Sequence, residues 1–177
     1  MKKYLALFVA LLLQFNCFGK EKKNYLEIEC KKDECFAVAK FNGKKKKLVE
    51  VIEYKTSTDW LTNNLAVIRV SCGSPCSTSM FVDFEKNVLS DGYSDVIAID
   101  PKNKIVAYVN EDVKLELAKI FTDKKKVILL DSSKDFSVAN VIDKIKFIDS
   151  NSIKIDYQAG EERTMKSAIV SIKELNT

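Results

Sequence analysis

Residues 96–130 read VIAIDPKNKIVAYVNEDVKLELAKIFTDKKKVILL, and this stretch decides the fold. Four apolar segments, Val96 to Ile99, Ile105 to Val109, Val113 to Phe121 and Val127 to Leu130, are separated by Asp100-Pro101-Lys102-Asn103, Asn110-Glu111-Asp112 and Thr122-Asp123-Lys124. Connections this short leave no room for the crossover that parallel strands need, so the segments are expected to form an antiparallel meander. Val113 to Phe121 is the one ambiguous member, because Leu117, Ile120 and Phe121 also fit helical spacing.

The pattern continues in both directions. Downstream, after a loop around Ser132 to Asn140, a second meander is expected. Its strands carry Ile145 and Phe147, then Ile153, Ile155 and Tyr157, then Ala168, Val170 and Ile172, with turns at Ser150-Asn151 and Gly160-Glu161. Upstream, Leu26, Ile28 and Cys30 alternate with Glu27 and Glu29, the period of a half-buried strand, and Phe36 and Val38 follow the Lys31–Glu34 turn. Asn42-Gly43, a pair that tolerates positive φ at both positions, predicts a hairpin from a strand ending near Lys40 to one carrying Leu48 to Tyr54. Thr56 to Asn64 interrupts the alternation. Ser57 or Thr58 is expected to cap one helical turn around Trp60, ended by Asn63 and Asn64. Strand returns at Leu65 to Ser71, paired with Met80 to Phe84, and Asp91-Gly92 marks a further turn.

About twelve strands in one chain give an all-β class: antiparallel meanders forming propeller-like blades or a two-sheet sandwich/barrel. The four-strand unit at 96–130, with a similar one after it, favours blades. Gly43, Gly73, Gly92, Gly160, Pro75 and Pro101 all fall at these turns, as both residue types should, because they weaken strand interiors.

The first nineteen residues read differently. Lys2 and Lys3 precede an apolar run, Leu5 to Leu13, that is too short to span a bilayer, and Cys17-Phe18-Gly19 offers small residues where a signal peptidase reads. Residues 1–19 are therefore expected to be an export signal and residues 20–177 a single all-β domain, periplasmic or secreted. The alternative is a lipoprotein anchored at Cys17, which Gln14, Phe15 and Asn16 suit poorly. No later run is long enough for a transmembrane segment.

Composition excludes much. The formal charge of +4 over 177 residues loses two with Lys2 and Lys3, which gives no argument for nucleic acid. Lys44–Lys47 and Lys124–Lys126 sit beside turns, where they serve solubility and guard strand edges. Their sharper reading is docking to an acidic polymer or an anionic membrane surface. There is no histidine, hence no Ser-His-Asp or Cys-His catalysis and no histidine metal site. Gly-x-Gly, Ser-x-x-Lys after residue 19, and Cys-x-x-Cys are also missing. Among the acids, Glu161 and Glu162 share a turn, and Asp95, Asp100 and Asp112 sit at strand ends. Calcium at Asp100 to Asn103 is disfavoured by Pro101 and Lys102 between the donors. No cofactor, metal site or catalytic residue is expected.

Four cysteines remain, and an even number in an exported chain implies two disulfides. Three pairings are open. Cys30–Cys35 and Cys72–Cys76 are preferred because each brackets a short turn-like loop. The second pair would tie Gly73, Ser74 and Pro75 into a stiff tip, a partner-binding loop that loses little entropy on docking; the plainer reading is a structural clip. Trp60 is a candidate interface anchor, against the plainer role of a lid on the core.

These readings converge on an exported, non-catalytic binding protein of the bacterial envelope, an inhibitor or immunity-type protein whose protein partner is an envelope hydrolase. One alternative is a structural or assembly component, lipid-anchored at Cys17. Another is a carboxylate-only enzyme acting on a glycan, which needs two carboxylates facing across a cleft. Terminal sequencing and intact mass of the exported protein test the leader: Lys20 at the amino terminus is expected, and an acylated Cys17 would replace it if the anchor is used.

Overall fold

The computed structural model describes residues 24–74, 76–131 and 138–177. The expected leader, with Cys17, and the loop residue Pro75 lie outside them. The described chain is all-β, with fifteen strands in four antiparallel sheets. Sheet 1 holds β1 (Tyr25–Lys31), β2 (Glu34–Phe41) and β3 (Lys44–Val51). Sheet 2 holds β4 (Thr56–Trp60), β5 (Leu65–Ser71), β6 (Ser77–Asp83) and the two-residue β7 (Val88–Leu89) and β8 (Tyr93–Ser94). Sheet 3 is the meander of 96–130: β9 (Val96–Asp100), β10 (Ile105–Val109), β11 (Leu115–Lys119) and β12 (Lys125–Ile128). Sheet 4 is β13 (Ile142–Phe147), β14 (Ser152–Ala159) and β15 (Thr164–Ser171). Helix is confined, among the described residues, to a 3-10 turn at Glu53–Lys55 and to α1 (Val138–Val141) and α2 (Lys173–Asn176).

Three apolar cores join the sheets in chain order. Leu26, Ala37, Ala39 and Phe41 of sheet 1 meet Ala66, Ile68, Val82 and Phe84 of sheet 2. Leu65, Val67 and Phe81 on the other side of sheet 2 meet Val106, Tyr108, Ala118 and Ile120 of sheet 3. Ile105, Ala107, Leu115 and Leu117 on the far side of sheet 3 meet Ile153, Ile155, Tyr157 and, after β15, Ile172. The molecule is thus a row of blade-like sheets. Sequence reports position in the row. β10, Ile-Val-Ala-Tyr-Val, is buried at every residue because both its faces are covered, whereas β14 at the end of the row alternates buried and half-buried.

The two end sheets each turn one face to solvent, and sheet 1 covers its own. Lys40 and Lys45 each lie 5.7 Å from the Tyr25 ring centroid, and Lys47 lies 3.7 Å from that of Phe36. Lys45 also pairs with Glu29 and, at 3.8 Å, with Glu27. Val38 sits in this face between Glu27 and Lys47 and is only 2% exposed. Apolar lysine stems laid over aromatic rings account for that burial. Lys44–Lys47 are therefore not merely beside a turn; they are half of an edge strand. On sheet 4, Lys154 binds Asp156 at 2.8 Å, yet Met165 and Ile169 of β15 stay exposed.

Most expected elements are present, with informative differences. Asn42 (φ 48°) and Gly43 (φ 87°) form the two-residue hairpin between β2 and β3, but β3 begins at Lys44 and ends at Val51. Val113 to Phe121 is strand, not helix, within Leu115–Lys119, since its alternate residues face two different cores. The helical turn expected around Trp60 is wrong: Thr56–Trp60 is an edge strand paired with β5 from Thr56↔Val70 to Trp60↔Ala66. β-Branched Thr56 and Thr58 suit a pleated edge better than a capped turn.

A buried ion pair clamps sheet 2 to sheet 3. Asp83 is fully buried and its Oδ2 lies 2.6 Å from Lys104 Nζ, while Oδ1 accepts the backbone N–H groups of Glu85 (2.9 Å) and Lys86 (3.1 Å). Burial pushes the carboxyl up, but Lys104 and those two N–H donors outweigh it, so its pKa falls below the ordinary 3.8. A depressed carboxyl stabilises the fold above its unfolded value and loses that contribution as pH falls through the folded one. Asp83→Asn is expected to cost about 2 kcal/mol at neutral pH. In urea titrations the gap from wild type should shrink below about pH 4.

Candidate functional site

Strand direction sorts the connections onto two ends of the row. At one end lie the β1–β2 turn, the Ile52–Lys55 link, the β5–β6 loop, Asp95, the β10–β11 loop and the segment after β12. At the other lie Asn42-Gly43, residues 61–64, 84–87, 101–104, 120–124 and 148–151.

Both disulfides belong to the first end. Cys30 is bonded to Cys35, its directly opposed partner across β1 and β2, with Cα atoms 4.0 Å apart. Cys72 is bonded to Cys76 across the β5–β6 loop, with Cα atoms 5.2 Å apart. Cys72 N–H also donates to the Cys76 carbonyl (3.2 Å), which closes the loop base. Gly73, at φ 124°, occupies backbone space that side-chain-bearing residues rarely enter, and Gly73 and Ser74 are exposed. Asp95 anchors the loop's exit by accepting the Ser77 N–H at 2.9 Å. Glu53 lies close to the Cys30 and Cys35 sulfurs, but their mutual bond leaves no thiolate to act with it as a ligand.

Exposed apolar side chains stand on other connections at this end. Tyr54 is 85% exposed and Leu129 83% exposed, with Ile52 and Val113 about half so. Val113 holds φ 59°, the left-handed region, which a β-branched residue enters at a cost of about 1–2 kcal/mol. Asn110 sets the shape of this loop: its carbonyl accepts Val113 N–H and its Oδ1 accepts Lys114 N–H, each at 2.9 Å.

Beside that loop a cavity of about 380 Å³ opens between sheets 2 and 3, lined by Gly92, Ser94, Tyr108, Asn110, Glu116 and Lys125 among others. Glu116 is buried on β11. Tyr108 Oη donates to its Oε1 at 2.5 Å, Asn110 Nδ2 donates to its Oε2 at 2.8 Å, and Lys125 Nζ lies 3.8 Å away. Burial first, then the Glu116 carboxylate, pushes the Tyr108 phenol well above its ordinary range. The sequence signal for this group is a lone charge between Leu115 and Leu117 in a strand buried on both faces, and composition-level reading passes over it. Of the acids named from the sequence, Glu161 and Glu162 stand exposed in the turn after β14, and Asp100 and Asp112 have partners. Asp100 accepts from Lys102 N–H, Asn103 N–H and Asn103 Nδ2 (3.0, 3.1 and 2.7 Å), a self-closed turn, and Asp112 meets Lys114 at 3.4 Å.

Trp60 is not part of this assembly. It stands at the opposite end of sheet 2, 45% exposed, stacked on Phe84 with ring centroids 4.7 Å apart. The loop and the tryptophan singled out in the sequence are therefore two separate places. Among the described residues no helix is long and apolar enough to cross a membrane. No protein-family model, curated protein or solved structure matches the chain.

Val113→Gly removes both the left-handed strain and the exposed isopropyl group. It is expected to raise stability by about 1 kcal/mol, read as a higher midpoint in thermal or urea unfolding. A lower midpoint would mean that the valine contributes contacts that outweigh its backbone cost.

Proposed function

We propose that this chain is an exported, non-catalytic binding protein of the bacterial envelope that offers the disulfide end of its sheet row to a protein partner, as an inhibitor or immunity protein of an envelope hydrolase does. The observation that carries the reading is the placement of both disulfides at one end of the row, the end whose other connections bear the exposed Tyr54, Ile52, Val113 and Leu129. Closing loops of four or five residues contributes modestly to global stability, so the larger effect of these bonds is local stiffness. Stiff loops dock with less entropy loss, and exposed aromatic and aliphatic tips are the side chains that anchor interfaces. Asp95 and Asp100 accept backbone N–H groups, Asp112 meets a lysine and Glu116 accepts from a tyrosine, which favours a binding role over carboxylate catalysis for these four.

One observation favours a second reading, an assembly component of the envelope. Among the described residues β15 pairs with β14 and with no other strand, and it exposes Met165 and Ile169. An edge strand unpaired in this way can accept a strand from another chain.

Affinity capture from envelope extract followed by titration with the purified partner separates the two. Ser74→Trp and Tyr54→Ala, both folded by near-ultraviolet circular dichroism, should each weaken binding about tenfold or more, and Met165→Asp should leave it unchanged. Loss confined to Met165→Asp would overturn the disulfide-end reading in favour of edge assembly.

A further inference from the structure

The opposite end of the row holds a different kind of site. A groove of about 450 Å³ lies where sheets 1 and 2 meet, lined by Asn24, Tyr25, Leu26, Trp60, Thr62 and Asn63. No lining residue carries a charge. Trp60 ends β4 opposite Ala66, on the side of sheet 2 that faces sheet 1. One face of its indole rests on Phe84, at an interplanar angle of 29°, and Phe84 is itself buried and 5.1 Å from Phe41. The indole is thus held from below by an aromatic column rooted in the core, while almost half its surface stays in solvent. A fully solvated edge-strand tryptophan would be mobile; this one is fixed before any ligand arrives.

Around that floor the polar groups are amides and hydroxyls. Asn24 Oδ1 accepts Asn42 N–H at 3.1 Å, which ties the groove wall to the β2–β3 hairpin, and among the described residues its amide Nδ2 has no acceptor. Thr62 Oγ1 accepts Leu65 N–H at 3.1 Å and Asn64 N–H at 3.3 Å, fixing the loop that carries Asn63. A rigid aromatic plane ringed by neutral donors and acceptors suits a ligand with one apolar face and a rim of hydroxyls. A charged ligand would find no counter-ion among these six residues, and a purely apolar one would strand the amides without partners.

We infer that this groove binds a neutral sugar, with one pyranose ring laid on Trp60 and its hydroxyl or acetamido groups hydrogen-bonded to Asn63 and Asn24. The site is independent of the partner-binding reading, being at the other end of the molecule and using none of the same residues. Stacking supplies the apolar share of the affinity and the amides supply orientation.

Trp60 is the sole tryptophan of the chain, so its emission reports on this groove alone. The full exported protein would be titrated with triacetylchitotriose, cellotriose and maltotriose, following Trp60 fluorescence and, in parallel, heat of binding. At least one trisaccharide should produce a saturable change with Kd on the order of 1 mM or tighter. Asn63→Ala, an exposed loop change, should weaken that binding about fivefold to tenfold with an unaltered melting curve. Trp60→Phe should retain part of the heat signal and Trp60→Ala should lose it. A flat response to all three sugars up to about 10 mM overturns the proposal. So does binding that is equal in wild type, Asn63→Ala and Trp60→Ala, because the sugar would then sit elsewhere.

Discussion

Two-sided burial of β5 and β10 is the constraint from which the architecture follows. A strand covered on both faces needs an apolar layer above and another below, so each inner sheet must have a sheet on either side. Leu65 and Val67 look one way and Ala66 and Ile68 the other; Ile105 and Ala107 oppose Val106 and Tyr108 in the same manner. Four sheets in a row satisfy both strands at once. A two-sheet sandwich would leave one face of each strand in water. Burying a side chain such as Phe81 is worth roughly 1.5–3 kcal/mol, and the inner strands carry many of them.

The row in turn sets where function can reside. Faces of the inner sheets are consumed by packing, so only loops at the two ends, strand edges and the two outer faces meet solvent. Buried polar groups lie toward the ends, where they stay hydrogen-bonded: Asp83 with Lys104 at one end and Glu116 with Tyr108 and Asn110 at the other. The first bridges two sheets that are otherwise joined by apolar contact, and the second ties two strands within sheet 3. The disulfides occupy one of these ends and the Trp60 groove the other, which gives the molecule two chemically distinct poles.

Much of the fold was legible in the sequence because the turns are strongly marked. Asn42-Gly43, Asp100 to Asn103, Ser150-Asn151 and Gly160 all separate apolar segments at short intervals, and the meanders follow from them. What failed, failed for physical reasons. Thr56–Trp60 carries no clear alternation because an edge strand is paired on one side only, so its polar residues mimic a capped turn. Val113 to Phe121 fits two periods at once, since burial on both faces erases the polar marks that distinguish them. The candidate loop was visible from cysteine spacing alone. The placement of Tyr54, Val113 and Leu129 at the same end of the row was not, because those residues lie far apart in the chain and only strand direction brings their loops to one end.

Contact restricted to adjacent layers also governs how such a body comes apart. Its free energy is close to a sum of layer and nearest-neighbour terms, as in a one-dimensional array, so the outermost members can peel away while the interior persists. Cys30–Cys35 ties a hairpin within an outer layer, whereas Cys72–Cys76 ties a loop of an interior one. The first bond keeps a peeled layer from unravelling into a flexible tail that proteases could grip; the second guards a loop of an inner layer, which opens only after an outer layer has.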